Sequence, residues 1–146
     1  MKELLYLKDD QLKDLIEKIF VGYRETFSDS KKVLTKYSIG LAHQKVIHLL
    51  SMYEGMSISE LLKKLKVTKQ SLNRVLRDLI KSKMIKQIQD ESDTRKKNLF
   101  LDKEGKEFFE IVYSTQKKRI FNALKNSNSD SVIKFKDVLK RIINGK

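Results

Sequence analysis

The chain contains no cysteine and no proline among its 146 residues. The lack of cysteine excludes disulfides, thiol-based redox sensing and cysteine-ligated zinc, and it is compatible with a reducing cytosol. The lack of proline favours a mostly helical chain, because proline interrupts helices. No apolar run approaches the length of a membrane span, and the N-terminus has no apolar core of a signal peptide. We therefore predict a cytoplasmic protein with no membrane partner.

Negative charge is also scarce. Lys and Arg number 32 against 19 Asp and Glu, which gives a net charge of +13. Residues 1–40 carry only +1 of this, whereas residues 41–105 and 106–146 carry +6 each. Such a surplus indicates a polyanionic partner, with nucleic acid favoured over an acidic membrane surface. The apolar fraction of 40% is enough for a folded core, in one domain or in one domain with a dimerisation arm.

One stretch, Thr68–Lys81, combines the cationic excess with a helical pattern. Its apolar residues recur at i, i+3, i+4, i+7 and i+8, which places them on one stripe of a helix. Within Lys66–Lys83 six cations accompany a single anion, Asp78. The apolar stripe consists of Leu72, Val75, Leu76, Leu79 and Ile80.

The opposite face of this helix carries only residues that can donate hydrogen bonds. Arg can bond guanine in pairs, Asn and Gln can do the same with adenine, and further cations can hold phosphates. This chemistry fits a DNA major groove, but an ordinary solvated surface helix has a similar charge pattern. The face consists of Lys69, Gln70, Asn73, Arg74, Arg77 and Lys81, with Ser71 on its border.

The residues before this helix predict a helix-turn-helix. Ser57 and Glu60 have the spacing of a capping box, which opens a short helix ending at about Lys64. Thr68 can cap the next helix after a connection of only a few residues, in which Val67 would pack between the two helices. A plain αα-hairpin in a helical bundle is the alternative, since the spacing also permits it.

The residues after this helix change to the period of β-strands. Met84–Gln89 and Lys97–Leu101 predict two short strands, joined by the polar turn Asp90–Lys96. A polar hairpin directly after a helix-turn-helix is a wing, and a helical bundle has no use for one. The two features together favour a winged helix over a generic helical domain.

Further helices flank this region on both sides. The first helix and the last two are too apolar to stand alone, so we expect them to pack with each other and with a second copy of the chain. A monomer that closes its own bundle is the alternative. The predicted helices run from Asp9 or Asp10 to about Ser28, from near Ser38 or Gly40 to Tyr53, from Lys103 to about Asn126, and from Ser131 to Ile143, with loops at Ser28–Lys32 and Asn126–Asp130.

Several segments between residues 40 and 105 carry a family resemblance. They are Gly40–Leu50, Glu54–Leu61, Val67–Arg74, Asp90–Arg95 and Leu99–Gly105. Together they resemble the MarR family of bacterial transcriptional regulators. The most specific piece is the Asp-x-Arg of the wing, here Asp93 and Arg95, followed by a segment similar to the family's L-x-L-T-x-x-G pattern. Outside these residues only the arrangement of helices agrees with that of the family.

The resemblance implies a mainly α fold with a small β wing, in which a winged helix-turn-helix is combined with N- and C-terminal dimerisation helices. It divides the chain into an N-terminal dimerisation helix at residues 1–36, a DNA-binding domain at residues 37–105 and C-terminal dimerisation helices at residues 106–146. The implied assembly is a homodimer on double-stranded DNA. Its recognition helix would lie in the major groove and its wing arginine in the flanking minor groove, where a narrow A·T groove attracts a guanidinium.

Contacts to DNA are expected from both the helix and the wing. The helix would supply base readers and phosphate contacts, and the resemblance assigns Arg95 to the minor groove with Asp93 orienting it or bracing the wing. The alternative for this last pair is a surface ion pair worth less than about 1 kcal/mol. The full predicted set is Lys66, Thr68, Lys69, Gln70, Ser71, Asn73, Arg74, Arg77, Asp93, Arg95 and Lys97.

Three features depart from the family pattern. The Lys97 side of the wing is more basic than required, which suggests additional contacts to the DNA backbone. Lys83 stands where the family usually has glycine between the recognition helix and the wing. A left-handed backbone there would cost about 1 kcal/mol or more without glycine, so either the turn is built differently or Lys83 gains a phosphate contact. Asp102 replaces the usual threonine, and it can still cap the following helix.

No cofactor and no metal site are expected. His43 and His48 are five residues apart and do not match the i, i+4 pattern of paired zinc ligands, so both are interpreted as core or surface histidines. Many family members release DNA when a small, often aromatic, anion binds, and the resemblance therefore leaves room for a small aromatic or anionic effector. By resemblance such an anion binds between the dimer helices and the winged helix. Tyr37, His43, His48 and Tyr53 fall near this junction, but none makes a recognisable pocket.

Two classes of function remain open at this stage. The first is a sequence-specific DNA-binding transcriptional regulator, a repressor that acts as a homodimer on a pseudo-palindromic operator. The second is a winged helix used as a protein-interaction module or as a sequence-independent DNA coat that binds by charge alone. The amide side chains favour the first, since a coat needs neither Asn nor Gln. An enzyme is not expected, because the sequence shows no nucleophile–base pair, phosphate loop or metal cluster.

Overall fold

The computed structural model describes residues 4–146. The chain forms two compact units, one made of Ser30–Tyr113 and the other of the chain up to Asp29 together with Ser114–Lys146. These limits differ from the boundaries at residues 36/37 and 105/106 that the sequence suggested. The division of the chain into DNA-binding and dimerisation parts stays a prediction.

Helices account for most of the described chain, as expected for a mainly α fold. A short 3₁₀ helix, Leu5–Leu7, precedes the first α-helix. The remaining elements, in chain order, are α1 Asp9–Ser28, α2 Lys31–Lys36, α3 Leu41–Met52, β1 Met56–Ser57, α4 Ile58–Leu65, α5 Lys69–Lys81, β2 Ile85–Gln89, β3 Lys97–Leu101, α6 Lys103–Lys125 and α7 Ser129–Asn144.

Helix α1 covers the predicted range but is not capped as predicted. Its N-cap residue is Lys8, which makes no side-chain capping bond, and Asp9 and Asp10 lie within the first turn. The two carboxylates therefore stabilise the helix through its positively polarised N-terminus rather than by capping it. The predicted C-terminal end at Ser28 is confirmed.

Helix α2 lies where the sequence suggested a loop. Only Asp29 and Ser30 separate α1 from α2, and the hydroxyl of the buried Ser30 donates a hydrogen bond of 3.1 Å to Gln44 Oε1 on α3. Leu34 is the one residue of α2 that is buried. Six residues are too few for a helical period to stand out, so the sequence pattern missed this element.

The helix-turn-helix of α4 and α5 forms as predicted, with changes in detail. The Ser57 hydroxyl accepts a hydrogen bond of 3.2 Å from the Glu60 amide, but only this half of the capping box is present. The Glu60 carboxylate instead lies 3.9 Å from Lys96 Nζ. Val67 was expected to pack between the helices, and this was wrong: its side chain is 45% exposed. Ile80, expected in the apolar stripe, is also exposed.

The wing belongs to a three-stranded sheet in the order β1-β3-β2. Strand β2 pairs antiparallel with β3 in the register Ile85 to Leu101 and Gln89 to Lys97, which confirms the predicted hairpin. Strand β1 pairs with β3 through Met56 and Leu99. Strand β1 was not predicted, because two residues cannot show a strand period.

The apolar core of the Ser30–Tyr113 unit fixes the helix-turn-helix against the sheet. At its centre Leu50, Leu61, Leu79, Leu99 and Phe108 are all fully buried, and each such side chain contributes about 1.5–3 kcal/mol through the hydrophobic effect.

Gly105, in the first turn of α6, lets that helix approach the backbone at Met84, the residue before β2. A Cβ atom at this position would lie 2.0 Å from the Met84 carbonyl oxygen. The same oxygen accepts a hydrogen bond of 2.8 Å from the Asp102 amide, and the Asp102 carboxylate accepts one of 2.9 Å from the Lys103 amide. Asp102 thus lies directly before α6 as predicted, but this side-chain bond goes to the first amide of the helix and not to the second or third, so its capping stays a prediction.

The other unit keeps most of its apolar surface open to solvent. Neither α1 nor α7 contains a buried residue in the described chain. Helix α7 begins two residues earlier than predicted, because the Asn128 side chain caps it by accepting from the Asp130 amide at 2.8 Å. Large exposed apolar residues of this unit include Leu15, Ile16, Phe20, Tyr23, Ile120, Phe121, Ile133, Phe135, Val138, Ile142 and Ile143.

Candidate nucleic-acid interface

The turn between α4 and α5 is short because a lysine adopts a glycine-like backbone. Lys66 is the C-cap of α4, has φ 52° and ψ 46°, and donates its amide to the Leu62 carbonyl at 2.9 Å. Thr68 then caps α5, as predicted, by accepting from the Ser71 amide at 3.1 Å. The Thr68 hydroxyl also donates to the Ser71 hydroxyl at 2.8 Å. The start of α5 is therefore fixed on both sides of the turn.

The polar face of α5 is open and its side chains are uncommitted. Within residues 4–146, none of the side chains of Gln70, Asn73, Arg74 and Arg77 forms a hydrogen bond or an ion pair. The apolar side of the same helix holds Leu72, Leu76 and Leu79 in the core. The exposed set comprises Lys66, Thr68, Lys69, Gln70, Ser71, Asn73, Arg74 and Arg77. A helix anchored in this way presents amides and guanidinium groups to any ligand that approaches it.

The tip of the wing is organised by Asp90, a residue that the sequence analysis did not single out. Its Oδ2 accepts from the Ser92 hydroxyl, the Ser92 amide and the Asp93 amide, at 2.6, 3.1 and 3.0 Å. Its Oδ1 accepts from the Asn98 side chain at 3.0 Å. These bonds hold the pKa of the Asp90 carboxyl well below its usual range. The bond from the Ser92 hydroxyl has the largest effect, and the bond from Asn98 has the next largest. Asp90 therefore stays ionised and braces the turn.

Arg95 extends from this braced turn into solvent. Its side chain is 91% exposed, and its amide and Nε both donate to Asp93 Oδ1, at 3.0 and 3.3 Å. Asp93 thus lies where it can orient Arg95, and Asp90 rather than Asp93 makes most of the bonds that brace the turn. The role of the pair on DNA stays a prediction.

A groove between the start of α4 and the wing extends the cationic surface. It has a volume of about 870 Å³, and its lining includes Ser59, Lys63, Arg95 and Lys97. Lys63, which was not among the predicted contacts, lies on α4 and is exposed. Four cations and the two carboxylates of Glu60 and Asp93 line this groove, so it carries a net positive charge between the wing and α4.

Comparison with known proteins decides the family. The MarR family model matches residues 40–96. HTH-type transcriptional regulator PetP of Rhodobacter capsulatus is 33% identical over 140 residues, covering 96% of this chain and 84% of the relative. The chain belongs to the MarR family.

Solved structures of MarR proteins share this fold. MarR of E. coli, solved as a mutant in complex with operator DNA, is 20% identical with a TM-score of 0.67, covering 96% of this chain and 99% of that one. MarR of Staphylococcus aureus, solved in complex with salicylate and kanamycin, is 20% identical with a TM-score of 0.72, covering 92% and 91%. At these identities the likeness shows the winged-helix fold and nothing about ligands.

Lys83 adopts a left-handed backbone, the conformation that favours glycine. Its φ is 61°, in the left-handed region, so the turn between α5 and β2 carries a strain of about 1 kcal/mol. The left-handed backbone is therefore present without glycine, and a phosphate contact by Lys83 stays a prediction. Lys83 is exposed.

The aromatic and histidine residues noted in the sequence are each engaged within the Ser30–Tyr113 unit. Tyr37 packs edge-on against Phe108 with ring centroids 5.0 Å apart, and Lys64 Nζ lies 4.7 Å from the centre of the Tyr53 ring. His48 packs against Phe109 at 6.0 Å, and desolvation lowers the pKa of its imidazole. In residues 4–146 no cluster of three potential ligands for a metal ion occurs.

An apolar cleft lies beside the recognition helix. It has a volume of about 480 Å³ and is bounded by α3, the end of α4 and the first half of α5. Its walls include Ala42, Leu65 and Val67, while Lys45 and Lys64 supply positive charge. This cleft explains why Val67 is exposed. Separately, none of the helices of residues 4–146 is both long enough and apolar enough to cross a membrane.

Proposed function

We propose that this MarR-family protein is a sequence-specific double-stranded DNA-binding regulator that represses transcription by occluding a promoter in the cytoplasm. The observation that carries the proposal is the α5 face, where Gln70, Asn73 and Arg74 are exposed and uncommitted on a helix fixed by its caps. A mixture of amide and guanidinium donors can distinguish base edges in the major groove. The solved complex of E. coli MarR with operator DNA supports the same use of the fold.

The proposed assembly is a homodimer. The exposed apolar side chains of α1 and α7 exceed the scattered apolar residues normally found on a monomer surface. A two-fold interface buries the same patch on both protomers. It also presents two recognition helices, so the operator would be a pseudo-palindrome with half-sites about one DNA turn apart.

Selection from a pool of random duplexes at near-physiological salt tests this proposal. We expect enrichment of a two-fold motif, because the α5 donors discriminate among bases. The alternative, a DNA coat that binds by charge, predicts no enrichment and an affinity that falls smoothly with salt on every duplex. That result would overturn the regulator assignment and leave Asn73 and Arg74 as surface residues.

Release by a small aromatic anion completes the proposal. The cleft beside α5 is mostly apolar and its lining includes Lys45 and Lys64, and S. aureus MarR was solved in complex with salicylate. A bound ring carboxylate would contact Val67 and Ser71 on the recognition element, and so couple occupancy to DNA binding. We expect salicylate to displace selected DNA from the wild type. The variant Ala42→Phe, which fills the cleft, should keep DNA affinity and lose that response; an unchanged response would contradict this location.

A further inference from the structure

The recognition helix carries one residue that works against binding a polyanion. Asp78 is the only carboxylate in Thr68–Lys81, and its side chain is 54% exposed. A negative charge on a helix that faces phosphates lowers affinity for every duplex alike. Any role of Asp78 that offsets this loss of DNA affinity therefore comes from a contact within the protein.

That contact is with His43 on α3. Asp78 Oδ2 lies 3.0 Å from His43 Nε2, across 35 residues of chain. The other ring nitrogen, Nδ1, accepts a hydrogen bond of 3.2 Å from the Gly40 amide at the start of α3. Since Nδ1 accepts, the neutral imidazole carries its proton on Nε2 and donates it to Asp78. The ring is thus bonded at both ends, and its side chain is only 17% exposed.

The remaining contact between α3 and α5 is less directional. Apolar side chains such as Val46, Leu72 and Leu76 pack in the shared core, which turns the apolar stripe of α5 inward, but the hydrophobic force is non-directional and leaves small rotations about the helix axis less restricted. The first half of α5 also borders the open cleft of about 480 Å³, so packing there is incomplete. A side-chain hydrogen bond of defined length restricts the rotation that packing leaves free.

We propose that the bond between His43 and Asp78 is a latch that sets the rotation of α5, and thereby the base discrimination of Asn73 and Arg74, without contacting DNA itself. Asp78 follows Arg74 by four residues, one helical turn along the same side of α5. Holding Asp78 therefore fixes the direction in which Arg74 points. His43 and Asp78 are positioning residues, and the proposal rests on sequence-specific binding by α5.

An electrostatic role and a positioning role of Asp78 predict different effects of Asp78→Ala on the ratio of selected to random affinity. Loss of a carboxylate alone should tighten binding to selected and random duplexes about equally. Loss of the latch should lower the ratio of selected to random affinity by roughly tenfold, with random-duplex binding unchanged or tighter. Glu54→Ala is the control, because Glu54 is an exposed carboxylate of the same unit outside the interface, and it should leave the ratio unchanged.

Two substitutions of His43 separate its two hydrogen bonds. In His43→Asn the amide oxygen can still accept from Gly40, but the side chain is too short to reach Asp78, so discrimination should fall as it does in Asp78→Ala. In His43→Gln the side-chain amide reaches Asp78, and discrimination should be retained. The double variant His43→Asn with Asp78→Ala should lose no more than either single change, because one bond is removed in all three.

The experiment is a pair of titrations, on selected and random duplexes, for each folded variant well below its melting temperature. A purely structural role would shift the melting temperature and leave the affinity ratio intact, which would overturn the latch. Equal loss in His43→Gln and His43→Asn would also overturn it. If the wild-type protein binds selected and random duplexes with equal affinity, the proposed function itself has failed, and the variants need not be compared.

Discussion

Lys69 and Arg74 lie on the same exposed face of α5 and carry the same charge, yet we expect different roles for them. Arg74 has a planar guanidinium that can bond guanine O6 and N7 together. Lys69 lies in the first turn of α5, where a point charge suits a phosphate. The pair therefore allows base recognition by Arg74 to be compared with phosphate contact by Lys69.

For Arg74→Ala we predict a loss of roughly 1–3 kcal/mol on selected DNA, with base preference relaxed at one position. For Lys69→Ala we predict weaker binding to all duplexes and a flatter dependence of affinity on salt. Titrations of selected and random duplexes at several salt concentrations measure both effects. Equal losses on both kinds of DNA for Arg74→Ala would remove it from the base readers.

Single residues also show where sequence patterns stop being informative. The face of α5 could be predicted because helical periodicity separates polar from apolar positions along a continuous segment. His43 and Asp78 could not be paired from sequence, since 35 residues separate them and nothing local links a histidine to that carboxylate. Asp90 did have a local signal, because Asp followed two residues later by Ser is typical of an Asx turn.

At the scale of elements, the wing is a braced turn carrying an exposed cation. The network around Asp90 fixes the backbone near Arg95, so little ordering should be needed when the guanidinium meets DNA. A narrow A·T minor groove concentrates negative potential and attracts such a group.

For Arg95→Ala we predict the greatest loss of affinity on duplexes whose selected motif is flanked by A·T pairs. Lys97→Ala is the control from the same hairpin, and as a backbone contact it should weaken all flanks alike. Competition between duplexes that differ only in their flanks measures the difference. Indifference of Arg95→Ala to flank composition would rule out the minor-groove role.

A second contact at this scale is the ion pair between Arg119 on α6 and Asp29, the C-cap residue of α1. Arg119 donates to both carboxylate oxygens of Asp29, at 2.6 and 3.0 Å. The hydrogen bond from Arg119 lowers the pKa of the Asp29 carboxyl, although partial desolvation opposes the shift. A carboxyl whose pKa is lower in the folded state adds stability above its unfolded pKa, and this stability is lost as the pH falls through the folded value.

Arg119→Gln should accordingly lower the free energy of unfolding at neutral pH, and its difference from the wild type should shrink in acid as Asp29 is protonated. Arg141→Gln is the control, because Arg141 bonds Asp137 within α7 and such an exposed i, i+4 pair contributes little. Urea denaturation at a series of pH values measures both variants. A difference independent of pH would show that the Asp29 bond is not the cause.

The elements that the sequence missed share a physical reason. Helix α2 and strand β1 have six and two residues, and their positions depend on tertiary contacts such as the bond between Ser30 and Gln44. By contrast, α1, α3, α5 and the wing hairpin were predicted well because amphipathic periods and turn residues agree along each of them. The helix-turn-helix was correct in outline, and Val67 failed because an open cleft replaced the packing expected there.

At the scale of the whole molecule, two properties are linked by the proposed homodimer. One is the exposed apolar surface of α1 and α7, and the other is the cationic face of α5. In the proposed two-fold dimer the apolar surface forms the interface, and the dimer presents two copies of the α5 face to DNA. Two copies give specificity for a paired site beyond that of one helix. The net charge of +13 would then double on an assembly that faces the phosphates.

The most direct measurement varies the distance between the two half-sites of the selected motif. A rigid homodimer on one face of DNA requires half-sites about one helical turn apart, so inserting about half a turn should rotate one half-site away and lower affinity by roughly tenfold or more. Affinity that is unaffected by the half-turn insertion would contradict the account, because each protomer would then be binding DNA independently.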